Sequence, residues 1–125
     1  MNNVRIIDGR SDTTYNILIN RNRYLNLTFE CEVLSGDTFY SFDFTPYTGA
    51  TLIVKNNVDD TFIPLSFSTA DGSIELLSNG LFKLKKTSSQ LGIRAGDYVY
   101  GMQLHSSTIQ NKAFLSGITS IIETV

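Results

Sequence analysis

A chain of 125 residues with 42% hydrophobic and 11% aromatic content, and a mean hydropathy of -0.02, can fill one core, which excludes a disordered segment. Its formal net charge of -2 and pI ≈ 5.2, with no basic cluster, exclude the electrostatic footprint of a nucleic-acid binder. One cysteine, Cys31, leaves no intrachain disulfide to form, the N-terminal residues lack the apolar core of a signal peptide, and no apolar run approaches the ~20 residues that span a bilayer, so a reducing cytoplasm is expected and a membrane is not.

The chain opens with a turn-rich, polar stretch, Asp8-Gly9-Arg10-Ser11-Asp12-Thr13-Thr14, and residues 1–14 read as an arm or lead-in strand ahead of a single domain over 15–125. Val4, Ile6 and Ile7 on that arm are candidate interface residues, able to add a strand to a neighbour. Residues 15–20 and 24–33 follow, separated by the polar tripeptide Arg21-Asn22-Arg23, and are expected to pair as a hairpin. In the second of these, Leu25, Leu27, Phe29, Cys31 and Val33 alternate with polar residues, the mark of a half-buried strand.

Ser35-Gly36-Asp37 breaks that pattern, and Tyr40, Phe42 and Phe44 then alternate as far as Pro46, which cannot donate to a central ladder. Residues 50–55 form a continuous apolar and β-branched run, and Ile63, Leu65 and Phe67 alternate around Pro64, which marks an edge strand or a bulge. Residues 73–77 and 81–85 are joined by Ser78-Asn79-Gly80, a second hairpin with Phe82 and Leu84 inward and Lys83 and Lys85 outward, as suits a strand guarding an edge. Thr87-Ser88-Ser89-Gln90-Leu91 supports one helical turn at most. Tyr98, Tyr100, Met102 and Leu104 share one face of a further strand, and residues 113–115 and 118–125 supply a last strand or pair bent at Gly117. About eight to ten short strands without an apolar helical period predict an all-β antiparallel sandwich of immunoglobulin-like or jelly-roll type.

The residue types that carry chemistry are scarce. His105, the one histidine, stands beside Ser106 and Ser107 at a strand end, where a solvated turn residue is the plainer reading than a general base. Cys31 falls on an apolar face and reads as a small buried hydrophobe. Asp59-Asp60 and Asp71-Gly72 lack the spaced oxygens of a calcium loop and read as turns, and no glycine stretch has phosphate-cradling spacing. Glu30 and Glu32 share a strand face about 7 Å apart, as glycosidase carboxylates can, yet also as an ordinary solvated face does. Arg21, Arg23, Lys83, Lys85 and Lys86 are scattered, which leaves no nucleic-acid patch. No enzyme, metal or cofactor is therefore expected. Tyr40 and Tyr47 join the interface candidates, and with Phe39 and Tyr98 they could instead form a stacking platform for a sugar.

Several short pieces in order resemble small β-sandwich modules of tailed-phage virions, notably the N-terminal domains of upper baseplate proteins and tail or fibre-attachment proteins. They are Leu25-Asn26-Leu27-Thr28-Phe29, Tyr47-Thr48-Gly49-Ala50-Thr51-Leu52, Asp71-Gly72-Ser73-Ile74-Glu75-Leu76, Gly96-Asp97-Tyr98-Val99-Tyr100 and Leu115-Ser116-Gly117-Ile118. Pro46-Tyr47 stands where an Asp-Leu step is usual in such modules. The resemblance implies a non-catalytic structural component of a virion, in tail, fibre or capsid, made in the host cytoplasm. It further implies a homo-oligomer, ring or trimer that binds other virion proteins; the alternative, from the aromatics rather than the resemblance, is a carbohydrate-binding module at a host surface.

Overall fold

The alternating run that starts at Leu25 becomes the longest strand of its sheet. In the computed structural model, which describes residues 2–7 and 13–123 and all their side chains except those of Ile6 and Ile7, strand β4 (Leu25–Ser35) buries Leu25, Phe29 and Cys31. Among the described residues, β1 (Asn2–Ile7), β5 (Thr38–Ser41), β8 (Ile74–Leu76) and β9 (Leu81–Lys86) join β4 in a five-stranded sheet ordered β1-β4-β9-β8, with β5 also on β4. A six-stranded sheet holds β2 (Thr13–Thr14), β11 (Lys112–Ile122), β10 (Gly96–His105), β6 (Gly49–Lys55) and β7 (Leu65–Ser68) in that order, with β3 (Ile17–Asn20) also on β11. Beyond these strands a 3-10 turn spans Ser88–Gln90, closed by Gln90 reaching back to the backbone of Thr87. The expected all-β sandwich is thus present, with two mixed sheets rather than purely antiparallel ones: β1 runs parallel to β4, and β2 and β3 run parallel to β11.

Phenylalanines tie the two layers together. Phe29 of β4 stacks on Phe82 of β9 with ring centroids 4.6 Å apart, and Phe114 of β11 meets Phe82 edge-on from the other sheet at 6.4 Å. Phe42 and Phe44 fill the space between, at 4.8 Å and 5.6 Å from the Phe114 ring. Tyr98, Tyr100, Met102 and Leu104 line the six-stranded side of the core, as their spacing predicts. Phe114 is the extra residue where the pairing of β10 with β11 shifts register, so that it and Leu115 can both be buried in sequence.

The hairpin expected between residues 15–20 and 24–33 does not form. Side-chain period decides which face of a strand is buried and leaves its partner open; here β3 buries Ile17 and Ile19 but pairs with β11, and the Arg21-Asn22-Arg23 link crosses from one sheet to the other. The approach is close. At Gly117 (φ +153) an added Cβ would lie 2.5 Å from the Tyr15 carbonyl oxygen, so a glycine is required there, and the Asn16 side chain accepts the Ile118 amide beside it. Val4 is also placed differently from its reading as an interface residue: its exposure is 0% because β1 lies along β4, so it completes this chain's own core. The side chains of Ile6 and Ile7, and residues 8–12 of the expected turn, lie outside the described residues.

The hairpin of β8 and β9 forms as read, through Asn79 (φ 60) and Gly80 (φ 74), with Phe82 and Leu84 buried. However, β9 lies between β4 and β8, so Lys83 and Lys85 guard no edge and instead stand over neighbouring strands. Pro64 immediately precedes β7, which is an edge strand of the six-stranded sheet, while Ile63 is exposed rather than core. The strand read from Tyr40 to Pro46 stops at Ser41: Tyr40 faces solvent and Phe42 and Phe44 turn into the core. Replacing Phe82 with Ala removes the ring common to both sheets and is expected to cost about 3–5 kcal/mol in denaturant unfolding followed by circular dichroism; a loss below about 1 kcal/mol would mean the layers are held elsewhere.

Candidate functional site

The alternation that fills the core also decides what each sheet shows to the outside. On the five-stranded sheet the outward ladder is charged: Arg5 faces Glu32, Asn26 faces Lys85, Thr28 faces Lys83, and Lys83 faces Glu75. Arg5 Nε lies 3.7 Å from Glu32 Oε1 and Lys85 Nζ 3.3 Å from Glu75 Oε1. Such exposed pairs contribute roughly 0–1 kcal/mol each, but they keep this face hydrated.

The six-stranded sheet is different. Its outward ladder sets Lys55 opposite Val99 and Val99 opposite Ile118, Ile53 opposite Gly101 and Gly101 opposite Ser116, and Thr51 opposite Gln103 and Gln103 opposite Ala113. Ser66 and Ser68 of β7 lie beyond Ile53 and Thr51, and β3 adds Leu18 opposite Ser120. Among the described residues of this outward set, Lys55 and Asp97 carry the charges. Leu18 is 60% exposed and Ile118 39% exposed. A hollow of about 500 Å³ opens in the middle of the face, lined by Ile53, Val99, Gly101, Leu115, Thr51 and His105 among others, with Val58 at its rim. Gly101 makes the hollow: a Cβ there would meet no atom within 4 Å, and its backbone has no left-handed φ that would forbid a side chain.

The residues nominated for chemistry are dispersed. His105 ends β10 on the outward side, its Nε2 2.9 Å from Thr51 Oγ1, while the Ser106 hydroxyl donates to the Pro46 carbonyl at 3.0 Å instead of turning to the imidazole. Cys31 is buried on the inward face of β4 beside Val4, and desolvation, with the Glu30 charge nearby, pushes its thiol up to about 12. Asp71 accepts the backbone amide and hydroxyl of Ser73, which hold its carboxyl below the usual range, and Asp60 accepts the Asn57 amide. Both act as turn residues. Glu30 and Glu32 lie on the charged outer face, Glu32 engaged by Arg5. No three His, Cys, Asp or Glu side chains among the described residues are placed to hold a metal ion, and none of those residues forms a helix long and apolar enough to cross a membrane.

The aromatics do not gather into one platform either. Tyr40 is 58% exposed on β5, whereas Tyr47 packs at 6.2 Å on Phe42 and is part of the core's margin. The Arg5 guanidinium covers Phe39 at 4.3 Å from the ring centroid, and Tyr98 is buried with its hydroxyl donating to the Arg94 carbonyl. Tyr100 is likewise inward, donating to the Tyr15 carbonyl, and burial raises its phenol above the ordinary range.

Sequence reasoning missed the apolar outer face. The available signal lay in the polar phase of two strands: Val99 between Tyr98 and Tyr100, and Ile53 inside the unbroken Thr51-Leu52-Ile53-Val54 run, are apolar where one-sided burial calls for a polar residue.

No family model and no curated protein matches this chain. Among solved structures it is similar to the endo-beta-1,4-mannanase from Thermotoga petrophila, with a TM-score of 0.48 and 12% identity over 88% of this chain and 18% of that one. The chain thus spans under a fifth of that protein's length, and a likeness at that score carries no argument about function.

Two outcomes follow for Cys31. In the folded protein the thiol is expected to stay unreactive toward a thiol reagent such as Ellman's, with one equivalent released on denaturation; fast labelling of the native chain would contradict its burial. Its folded pKa is raised, so the unfolded chain loses the proton first, and the contribution to stability is whole below the ordinary thiol value of about 8.5 and declines as pH rises toward 12. Thermal melts should therefore show Cys31→Ala with a shallower alkaline decline than the parent; parallel slopes would refute this.

Proposed function

We propose that this chain is a non-catalytic binding module that works by protein–protein contact, with the outward face of the six-stranded sheet as its contact surface. One observation carries this reading: the two outer faces of the same sandwich are chemically opposite. The charged ladder of the five-stranded sheet is what water requires of an exposed face. The nearly uncharged face around Ile53, Val99, Gly101 and Ile118 is what a desolvated protein contact requires, because apolar atoms gain free energy on leaving water while unpaired charges pay for leaving it.

The ordered resemblance to phage sandwich modules supplies the setting. In a virion, a small rigid sandwich presenting one dry face can attach, decorate or join larger parts without turnover. The alternative, a carbohydrate-binding module built on Tyr40 and Tyr47, has less support, since Tyr47 is engaged by Phe42 and Tyr100, the tyrosine lining the hollow at Gly101, is buried.

Gly101→Glu places a charge in the hollow without touching the core. We expect virions purified from lysates of the encoding phage to contain the chain by mass spectrometry, and to lose it at least about tenfold in the Gly101→Glu variant, while Glu30→Lys on the charged face is retained. Absence of the parent chain from particles, or Gly101→Glu at full occupancy, would sink the reading.

A further inference from the structure

We infer that the partner on this face is a second copy of the same chain, the two six-stranded sheets stacking outer face to outer face about a two-fold axis. The inference rests on the contact-face reading above and names the occupant.

Size is the first argument. At the level of β10 the face is five strands wide, about 20–25 Å at the usual strand spacing, and the outward run from Asp97 to His105 is roughly 27 Å long. The projected area of about 600 Å², enlarged by surface relief, approaches the ~800 Å² that each partner contributes to a stable interface of standard size.

The second argument is self-complementarity. A two-fold contact must fit itself, since whatever one copy presents the other presents in return. This face carries both halves of such a fit. The hollow over Gly101 is bounded by Ile53, Val99 and Leu115, and the rim carries Val58, an aliphatic side chain 76% exposed. A valine from the opposite copy is of the right size and polarity to enter the hollow, and the reciprocal insertion comes with the symmetry. Leu18 and Ile118 extend the apolar area beyond the hollow through the Val99 to Ile118 pairing.

Charge is the third. On the strands of this face the charges are one of each sign, Lys55 and Asp97, with Asp59 and Asp60 beside Val58 at the rim. The five-stranded face would instead set charged ladders against one another.

Light scattering after gel filtration of the full chain, from about 1 to about 200 µM, tests this. The expected result is a concentration-dependent species of twice 13.9 kDa. Gly101→Glu and, separately, Val58→Asp should each raise the dissociation constant at least about tenfold at an unchanged thermal midpoint of the monomer, and Glu30→Lys should not. Val58 is a loop-tip residue, so its variant decides the matter even if a strand substitution perturbs folding. A parent chain that stays monomeric at the highest concentration, or dimers indifferent to both variants, overturns the inference. If the chain is monomeric but Gly101→Glu still empties the particle, a different protein occupies the face and the contact reading stands without the dimer. If Gly101→Glu dissolves the dimer and leaves particle occupancy unchanged, the dimer stands and the virion reading falls.

Discussion

Stacking of Phe29 on Phe82, braced across the sandwich by Phe114, is the contact on which the rest of this molecule depends. It joins β4 and β9 within one sheet and presses both against β11 of the other, so it determines the distance and the relative rotation of the layers. Once the layers are locked, each strand has one inward and one outward side, and every outward residue has an assigned neighbour across the ladder. The chemical contrast between the outer faces is therefore a property of the whole sandwich, maintained by rings that never touch the surface.

The contrast has a local cause in β10. Its inward residues Tyr98, Tyr100, Met102 and Leu104 are large and buried, while its outward residues include Val99 and Gly101. A strand flanked by β6 and β11 and covered on one side needs only polar atoms on the other, yet here two adjacent outward positions, Val99 and Gly101, are apolar or empty between Asp97 and Gln103. Gly101 is informative because it is under no conformational demand: the backbone would accept a side chain, and the space for one is open. A residue that costs backbone entropy in a strand without a structural return points to a use for the vacancy it leaves.

Fold class was legible because burial on one face imposes a two-residue period that survives in sequence, most plainly at Leu25 to Val33 and at Tyr98 to Leu104. The hairpin of β8 and β9 was legible because Asn79 and Gly80 must adopt positive φ, a demand few residues meet. Partnership between distant strands was not. Nothing within residues 15–33 distinguishes pairing with each other from crossing to opposite sheets, since Ile17 and Ile19 need burial in either case; the deciding feature is Gly117, a hundred residues away, which admits the backbone of Tyr15. Val4 was misplaced for a related reason, because an apolar residue near a chain end can serve its own sheet edge or a neighbour's equally well by pattern alone. Among the nominated contact residues Tyr40 is exposed, Tyr47 is engaged at the core margin, and the hollow escaped notice because a glycine between two apolar residues reads as strand, not as a gap.

The parallel docking of β3 on β11 joins residues separated by 102 positions, as the Asn16 to Ile118 hydrogen bond does. A ribosome must deliver the chain as far as Ile122 before that ladder can close. Until then the flank of β10 that awaits β11 exposes unpaired amides and carbonyls next to the greasiest part of the protein. Closure of the six-stranded sheet is consequently gated by the arrival of β11, and the contacts it completes are of the long-range kind that form slowly.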